Sequence, residues 1–341
     1  MRAMILAGGM STRLYPLTKE VPKPIVPVVG EPISGHVMRW LSSFGYDEIA
    51  INVFYLADKV DRTFGDGSRY GVKLHYLRER ELTGSAGALK QMEGWFDGTF
   101  VVVGCDDLTN ADLAALVQFH KRSGAVATIG LLEVDEVDQY GVVILDERGR
   151  ITGFQEKPAK GTEQSKLANT GIYVFEPAIF ERIPAGTFYD FGKQVFPELL
   201  RDGLPFYGMT LGGAYWRDVG TPDEYRRATA DMLSGAVSIK GARAVGVPDS
   251  VRVPSDARIE GDVRVGEGVE IGNGVRILGP SVVGDGVRIG DGAVLERAIV
   301  WNDATIGAGA TVRDSIVGER YAVAAAAKLD GAIVANEPNP V

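Results

Sequence analysis

The chain has 341 residues, 45% of them hydrophobic and 24% charged, with a formal net charge of −9. That length predicts two domains, and the absence of any run of about 18 apolar residues excludes a membrane-spanning helix. The acidic balance argues against a nucleic-acid backbone as partner, and one cysteine, Cys105, excludes an intrachain disulfide or a cysteine metal cluster.

His36, His75 and His120 are the only histidines and lie scattered, which gives little support to a zinc site or a Ser-His triad. The chain opens directly on an apolar stretch, without the basic and long apolar regions of a secretory leader, so a cytoplasmic protein is expected. Residues 3–6 read as a buried strand. It breaks into Ala7-Gly8-Gly9-Met10-Ser11-Thr12-Arg13-Leu14-Tyr15-Pro16, and Pro22-Lys23-Pro24 closes the stretch. Glycines let backbone N–H groups approach a bound anion, and successive N–H groups form a nest for phosphate oxygens. Arg13 adds a planar fork of donors and Lys23 a second cation, so the expectation is polyphosphate binding. A dinucleotide fingerprint would need a third glycine, and a Walker loop would need Gly-Lys-Ser/Thr; neither is present.

Residues 33–44 place Ile33, Val37, Leu41 and Phe44 on one helical face, ended by Gly45, with His36 and Trp40 read as packing residues. Residues 49–53 and 72–77 read as strands separated by a polar helix. Gly84-Ser85-Ala86-Gly87-Ala88 opens another helix, and residues 99–104 form a continuous apolar strand. This alternation predicts an α/β domain with a mostly parallel sheet, helices on both faces, and a ligand crevice at the carboxyl ends of the strands. Gly104-Cys105-Asp106-Asp107 sits at such an end, where acids can hold Mg²⁺ beside phosphates. Asp112 reads as the cap of a helix, and Glu156-Lys157-Pro158, taken alone, as a surface turn.

From Ile259 an apolar residue recurs at every sixth position through Val265, Ile271, Ile277, Val283, Ile289 and Leu295. The register slips near Trp301 and resumes at Ile306 and Val312. A period of six predicts a triangular parallel β-solenoid, one short strand and one turn per hexapeptide. Hexapeptide solenoids also serve acetyltransferases, whose chemistry calls for a general base such as histidine. No histidine follows His120, so the solenoid reads as an oligomerisation or packing surface.

Taken in order, these segments resemble the signatures of the sugar-1-phosphate nucleotidyltransferases: residues 4–16 with Pro22-Lys23-Pro24, Thr83-Gly84-Ser85-Ala86-Gly87, Gly104-Cys105-Asp106, Tyr140-Gly141-Val142-Val143, Gly153-Phe154-Gln155-Glu156-Lys157-Pro158, Asn169-Thr170-Gly171-Ile172-Tyr173 and Trp216-Arg217-Asp218-Val219-Gly220-Thr221-Pro222. The resemblance covers essentially the whole chain and is greatest to GDP-mannose pyrophosphorylase-like members. That family usually has Gly where this chain has Ser11 and Cys105.

The resemblance implies a Rossmann-like nucleotidyltransferase domain over residues 1–235, a linker over 236–254, a hexapeptide-repeat left-handed parallel β-helix over 255–335 and a tail over 336–341. It implies a reaction of nucleoside triphosphate with sugar 1-phosphate, giving nucleotide-sugar and pyrophosphate. Leu6, Ala7, Gly8, Gly9, Ser11, Thr12 and Gly84 would bind nucleotide. Arg13 would meet the leaving pyrophosphate and Lys23 the α-phosphate, and Asp106 and Asp218 would hold Mg²⁺. Gly141, Glu156, Lys157, Asn169 and Gly171 would bind the sugar phosphate. Residues 189–200 also lie at a family position, to which no role is assigned.

Uridylyl and thymidylyl members carry Gln just before the Gly84 segment, where this chain has Glu79-Arg80-Glu81. A carboxylate accepts from guanine N1–H and N2–H, so Glu79 and Glu81 tilt the expectation to GTP. The sugar expected is mannose 1-phosphate or a similar hexose or cyclitol phosphate. Glucose-1-phosphate uridylyl, thymidylyl or adenylyl transfer is the alternative, and a non-catalytic nucleotide-sugar-binding regulatory subunit the second. A homo-oligomer is expected, with no nucleic-acid or membrane partner.

Overall fold

A computed structural model describes residues 1–239, 241 and 245–337. Residues 240 and 242–244 of the expected linker and 338–341 of the expected tail lie outside the described residues. In chain order the elements are β1 (Arg2–Leu6), β2 (Pro27–Val28), β3 (Glu31–Pro32), α1 (Ile33–Ser43), β4 (Glu48–Val53), α2 (Ala57–Phe64), β5 (Lys73–Arg78), α3 (Gly84–Gln91), β6 (Phe100–Gly104), β7 (Asp107–Thr109) and α4 (Leu113–Ser123). They continue with β8 (Ala127–Glu133), β9 (Gly141–Leu145), β10 (Ile151–Glu156), β11 (Leu167–Phe175), α5 (Phe196–Arg201), β12 (Phe206–Thr210), β13 (Trp216–Asp218) and α6 (Pro222–Leu233). Two compact units result: residues 1–10 with 37–218, and residues 11–36 with the chain from Val219 onward.

The first unit holds a nine-stranded sheet in the order β10-β9-β11-β6-β1-β4-β5, with β12 joined through β8. Strands β6, β1, β4 and β5 run parallel, Ile5 lying between Ile51 and Val103. Parallel strands covered on both faces need unbroken apolar runs. Ala3-Met4-Ile5, Ile49-Ala50-Ile51 and Val101-Val102-Val103 supply them, all fully buried. This is the parallel half expected from the alternation of strands and helices. In the other half β11 pairs antiparallel with β6, β8 and β9, while β12 runs parallel to β8, so the sheet is mixed. The reason is connectivity: β9, β10 and β11 follow one another with no helix between them, and parallel neighbours require a long crossover. Phe100, Phe175, Phe191, Phe196 and Phe206 fill the core beneath this half, largely by ring stacking.

His36 and Trp40 are buried packing residues of α1, the indole of Trp40 donating to Ala111 O at 2.9 Å. Asp112 caps α4 by accepting from Ala115 N.

In the second unit the chain beyond residue 257 winds through three parallel sheets of five, five and four short strands, the three faces of a solenoid. Val283 pairs with Val265 eighteen residues back, three hexapeptides per coil. Val300 pairs with Val283 seventeen residues back, so the sequence slip near Trp301 is a coil shortened by one residue. Among the described residues no helix is long and apolar enough to cross a membrane.

Candidate active site

In the first unit β1 delivers Leu6, and Ala7 N donates to Asn52 Oδ1 at 2.8 Å. Gly8 follows where only hydrogen fits: a Cβ there would stand 2.6 Å from both Asn52 Nδ2 and Glu79 Oε2. Glu79 is held on three sides. Its Oε2 accepts from Asn52 Nδ2 at 2.6 Å, and its Oε1 accepts from Thr83 N at 3.2 Å and Thr83 Oγ1 at 2.6 Å. Gln91 Nε2 donates in turn to Thr83 Oγ1 at 3.0 Å. Glu79 is thereby brought to the glycine loop, whereas Glu81 is exposed.

Gly84 has φ +78°, and a Cβ on it would meet Tyr189 O at 2.4 Å. Ala86 N and Gly87 N both donate to that carbonyl at 3.0 Å, and Ser85 Oγ donates to Asp190 Oδ2 at 2.9 Å. The small residues that open α3 therefore dock it onto the chain at 189–190. This is the family position to which the sequence assigned nothing.

The acid loop after β6 is tied by Asp107. Its Oδ2 accepts from Gly104 N at 3.0 Å and its Oδ1 from the buried Trp216 Nε1 at 3.0 Å. Gly171, at φ +77° in the bulge of β11, approaches so closely that a Cβ would lie 2.8 Å from Asp107 Oδ2. Antiparallel β7 and β13 place Asp107 opposite Asp218, so the strand ends carrying Asp106 and Asp218 lie side by side. Gly104 is the position that must be glycine, a Cβ there standing 2.5 Å from Asp107 Oδ2. Cys105 is buried in ordinary backbone, its N–H donating to Leu6 O at 3.1 Å, and needs no glycine. Among the described residues no three His, Cys, Asp or Glu side chains group to enclose a metal. Two carboxylates on adjoining strand ends nevertheless fit Mg²⁺, which takes one or two carboxylates and fills its shell with water and substrate phosphate.

On the remaining edge the Glu156 carboxyl tip lies against two glycines: a Cβ on Gly192 would be 2.7 Å from Oε2, and one on Gly141 3.3 Å. Desolvation holds this carboxyl above its ordinary range; Lys157 and Lys193 oppose the rise and Asp190 adds to it. Lys157 takes a left-handed backbone at φ +46°, its N–H donating to Tyr140 O. A non-glycine residue held there is a strained conformation of the kind that clusters at functional sites. Asn169 Oδ1 accepts from Gly171 N and its Nδ2 donates to Tyr173 Oη, both at 3.0 Å, which shapes the bulge.

Ser11, Thr12, Arg13 and Lys23 belong to the second unit. Arg13 is exposed on the single helical turn Thr12–Leu14, anchored by the buried Leu14. Lys23 opens the turn Lys23–Ile25, anchored by Pro24. Ser11 adopts φ +53°, ψ +39°, and Thr18 Oγ1 donates to its carbonyl at 2.8 Å. Serine here holds a left-handed backbone that glycine adopts freely, at a steric cost of about 1–2 kcal/mol. Ser11→Gly is therefore expected to raise stability or leave it unchanged, by up to about 1 kcal/mol in a urea titration once glycine's greater unfolded entropy is counted. A loss of more than that would mean the Ser11 side chain has a role of its own.

Sequence reading gave no individual role to Asn52, Thr83, Asp107 or Asp190, although the last three lie within segments it singled out. Only Asn52 offered a signal, as a buried polar residue at the carboxyl end of an otherwise apolar strand.

Residues 2–235 match the family model described as nucleotidyl transferase, and residues 262–297 match six repeats of the bacterial transferase hexapeptide. The chain belongs to the nucleotidyl transferase family and is an enzyme of that class. It is 38% identical to a UTP–glucose-1-phosphate uridylyltransferase of Synechocystis, over 95% of this chain and 88% of that protein. It is 36% identical to a mannose-1-phosphate guanylyltransferase of Mycobacterium tuberculosis, over 91% and 82%. A Bacillus anthracis structure named as a glucose-1-phosphate thymidylyltransferase superposes with a TM-score of 0.62 at 26% identity, over 70% of this chain and 96% of that one.

Proposed function

We propose that the chain transfers the guanylyl group of GTP to mannose 1-phosphate, or to a similar hexose or cyclitol 1-phosphate, releasing pyrophosphate. A phosphate oxygen of the sugar phosphate attacks the α-phosphorus in line, and the bond to the bridging oxygen of pyrophosphate breaks. The attacking oxygen is already anionic, so no covalent enzyme intermediate is required. The protein's task is to align two anionic reactants and cancel their charge. Leu6, Ala7, Gly8, Gly9, Ser11, Thr12 and Gly84 cradle the nucleotide, Arg13 steadies the departing pyrophosphate, and Lys23 offsets charge near the α-phosphate. Glu156, Asn169, Gly141 and Gly171 bound the sugar, and Lys157 pairs with its phosphate. Asp106 and Asp218 would hold Mg²⁺, which when bound would supply Lewis-acid stabilisation of phosphate charge.

The observation that carries the base assignment is the setting of Glu79. Three donors, Asn52 Nδ2, Thr83 N and Thr83 Oγ1, converge on its carboxylate. An amide at this position would have to turn its NH₂ toward one of them, so the site favours a group that only accepts. A base reading such a group must donate, and guanine presents two adjacent donors, N1–H and N2–H. Pyrophosphate release should be fastest with GTP in a panel of nucleoside triphosphates and sugar 1-phosphates. Glu79→Gln should raise the KM for GTP roughly 10- to 150-fold, the range for hydrogen bonds to a charged group, without a matching gain for UTP. Unchanged base preference in that variant would discard the guanine assignment and keep the chemistry. The uridylyl reading has one specific support, the Synechocystis relative's name and coverage, and the same panel decides between them.

Lys157→Ala should raise the KM for the sugar phosphate while largely sparing kcat, because the pairing already exists in the ground state. A rise confined to the triphosphate KM would place Lys157 wrongly.

A further inference from the structure

We infer that Trp301 and Tyr225, with Arg264, are positioning residues for the segment that carries Arg13 and Lys23, so that the solenoid takes part in catalysis by fixing that segment. The inference rests on the reading that Arg13 and Lys23 serve the triphosphate.

The segment 11–36 shares its compact unit with α6 and the solenoid. Its last part is the hairpin β2–Val29–Gly30–β3, in which Pro27 faces Pro32 and Val28 faces Glu31. The hairpin is gripped at two points. The hydroxyl of Tyr225, on α6 and fully buried, donates to Pro27 O and accepts from Trp301 Nε1 at 2.9 Å. Arg264, on the first full coil and 3% exposed, lies against Gly30 (φ +75°), where a Cβ would stand 2.2 Å from the guanidinium carbon. That guanidinium donates to Val283 O and Asp285 Oδ1, both at 3.3 Å, which holds it to the coil wall. The grip reaches Lys23 through a short hydrogen-bonded path: Val26 N donates to Lys23 O at 3.0 Å, and Ile33 N to Val26 O at 2.9 Å.

The solenoid breaks its own pattern to make this contact. The turn residue after Val265, Val283, Val300 and Val317 is Gly266, Gly284, Trp301 and Gly318, each donating its N–H to the coil above. The column is crowded, a Cβ at Gly284 standing 2.6 Å from Asn302 N. A tryptophan there is unfavourable for stacking, and the coil ending on it is the first to lose a residue. The indole goes instead to Tyr225, with ring centroids 6.4 Å apart edge to face. A solenoid that served only as a spacer would gain nothing from this irregularity.

The test uses full-length Trp301→Phe and Tyr225→Phe, each of which removes hydrogen-bond donors while keeping a ring in the buried space. Hydrogen exchange over residues 11–36 and steady-state kinetics are measured on both. Exchange of that segment should quicken about tenfold, the effect of losing one buried hydrogen bond, with the solenoid strands unchanged. kcat should fall by up to a similar factor, since Arg13 acts on charge that develops in the transition state, and KM for the triphosphate should rise through Lys23 while KM for the sugar 1-phosphate holds. The double variant should be no worse than Tyr225→Phe, since both substitutions break one chain of bonds. A role in stability alone would lower the melting temperature and leave the two KM values in their native ratio. Unchanged exchange over residues 11–36 in both variants overturns the inference. Faster exchange with unaltered triphosphate kinetics overturns the placement of Arg13 and Lys23 on the triphosphate and leaves the tether standing.

Discussion

Arg13→Ala should depress kcat by about 2–4 kcal/mol of barrier, roughly 30- to 1000-fold, the usual loss when one donor to developing negative charge is removed. On the proposed placement of Arg13, negative charge accumulates on pyrophosphate as the bond to the α-phosphorus lengthens, so the contact would tighten toward the transition state and the loss would appear mainly in kcat. A cation that only attracted the triphosphate would be lost in KM instead. Arg13→Lys restores charge without the planar fork and should recover only part of the rate. Rapid-quench measurement of one turnover separates this loss from a change in product release. Near-native turnover in Arg13→Ala would remove Arg13 from the chemistry.

The second large effect separates two neighbouring acids. If Asp106 is a Mg²⁺ ligand as proposed, Asp106→Ala should lower turnover at least about a hundredfold, because a lost carboxylate ligand forfeits several kcal/mol of charge stabilisation, and it should move the Mg²⁺ midpoint to higher concentration. Asp107→Asn should behave differently. Its carboxylate accepts from Gly104 N and Trp216 Nε1, and an amide can satisfy only one of these donors. The other is left buried without an acceptor, which costs about 1–3 kcal/mol of stability. The melting temperature and turnover should fall together while the Mg²⁺ midpoint stays in place. A midpoint shifted by Asp107→Asn and untouched by Asp106→Ala would reverse the two assignments.

The parts of the fold that were legible in the sequence are those with a short repeating rule. The hexapeptide period needs only one apolar residue in six and a turn between, and three sheets stacked in register follow from it. The parallel half of the sheet was legible because β1, β4 and β6 carry unbroken apolar runs in a chain that alternates strands with helices. The direction of β11 was not, because it depends on which strands lack a helical crossover between them. The glycine loop and the acids after β6 stood out by composition at strand ends, whereas Glu79 and Asp218 were legible only through the family resemblance. Asp107 did not disclose its role, since an aspartate beside another aspartate looks like a bystander until Trp216, 109 residues away, is seen donating to it. Nor did Ser11 disclose its left-handed backbone, because serine carries no conformational signature where glycine would have. The contacts of Tyr225 with Pro27 and of Arg264 with Gly30 join positions more than 180 apart in the chain, which no local pattern discloses.

The hydrogen-bonded run from Ala7 through Asn52, Glu79 and Thr83 to Gln91 bears on how such an enzyme could change its substrate. Each member is satisfied by the polarity of its neighbours, so reversing one member sets donor against donor. A single substitution toward another base passes through a variant poor at both the old and the new reaction. Directed evolution that changes one codon at a time should stall there, whereas a library varying positions 52, 79, 83 and 91 together crosses the valley in one step. If Glu79 reads the base as proposed, the choice of nucleotide rests on mutual dependence among four side chains rather than on the strength of any one contact.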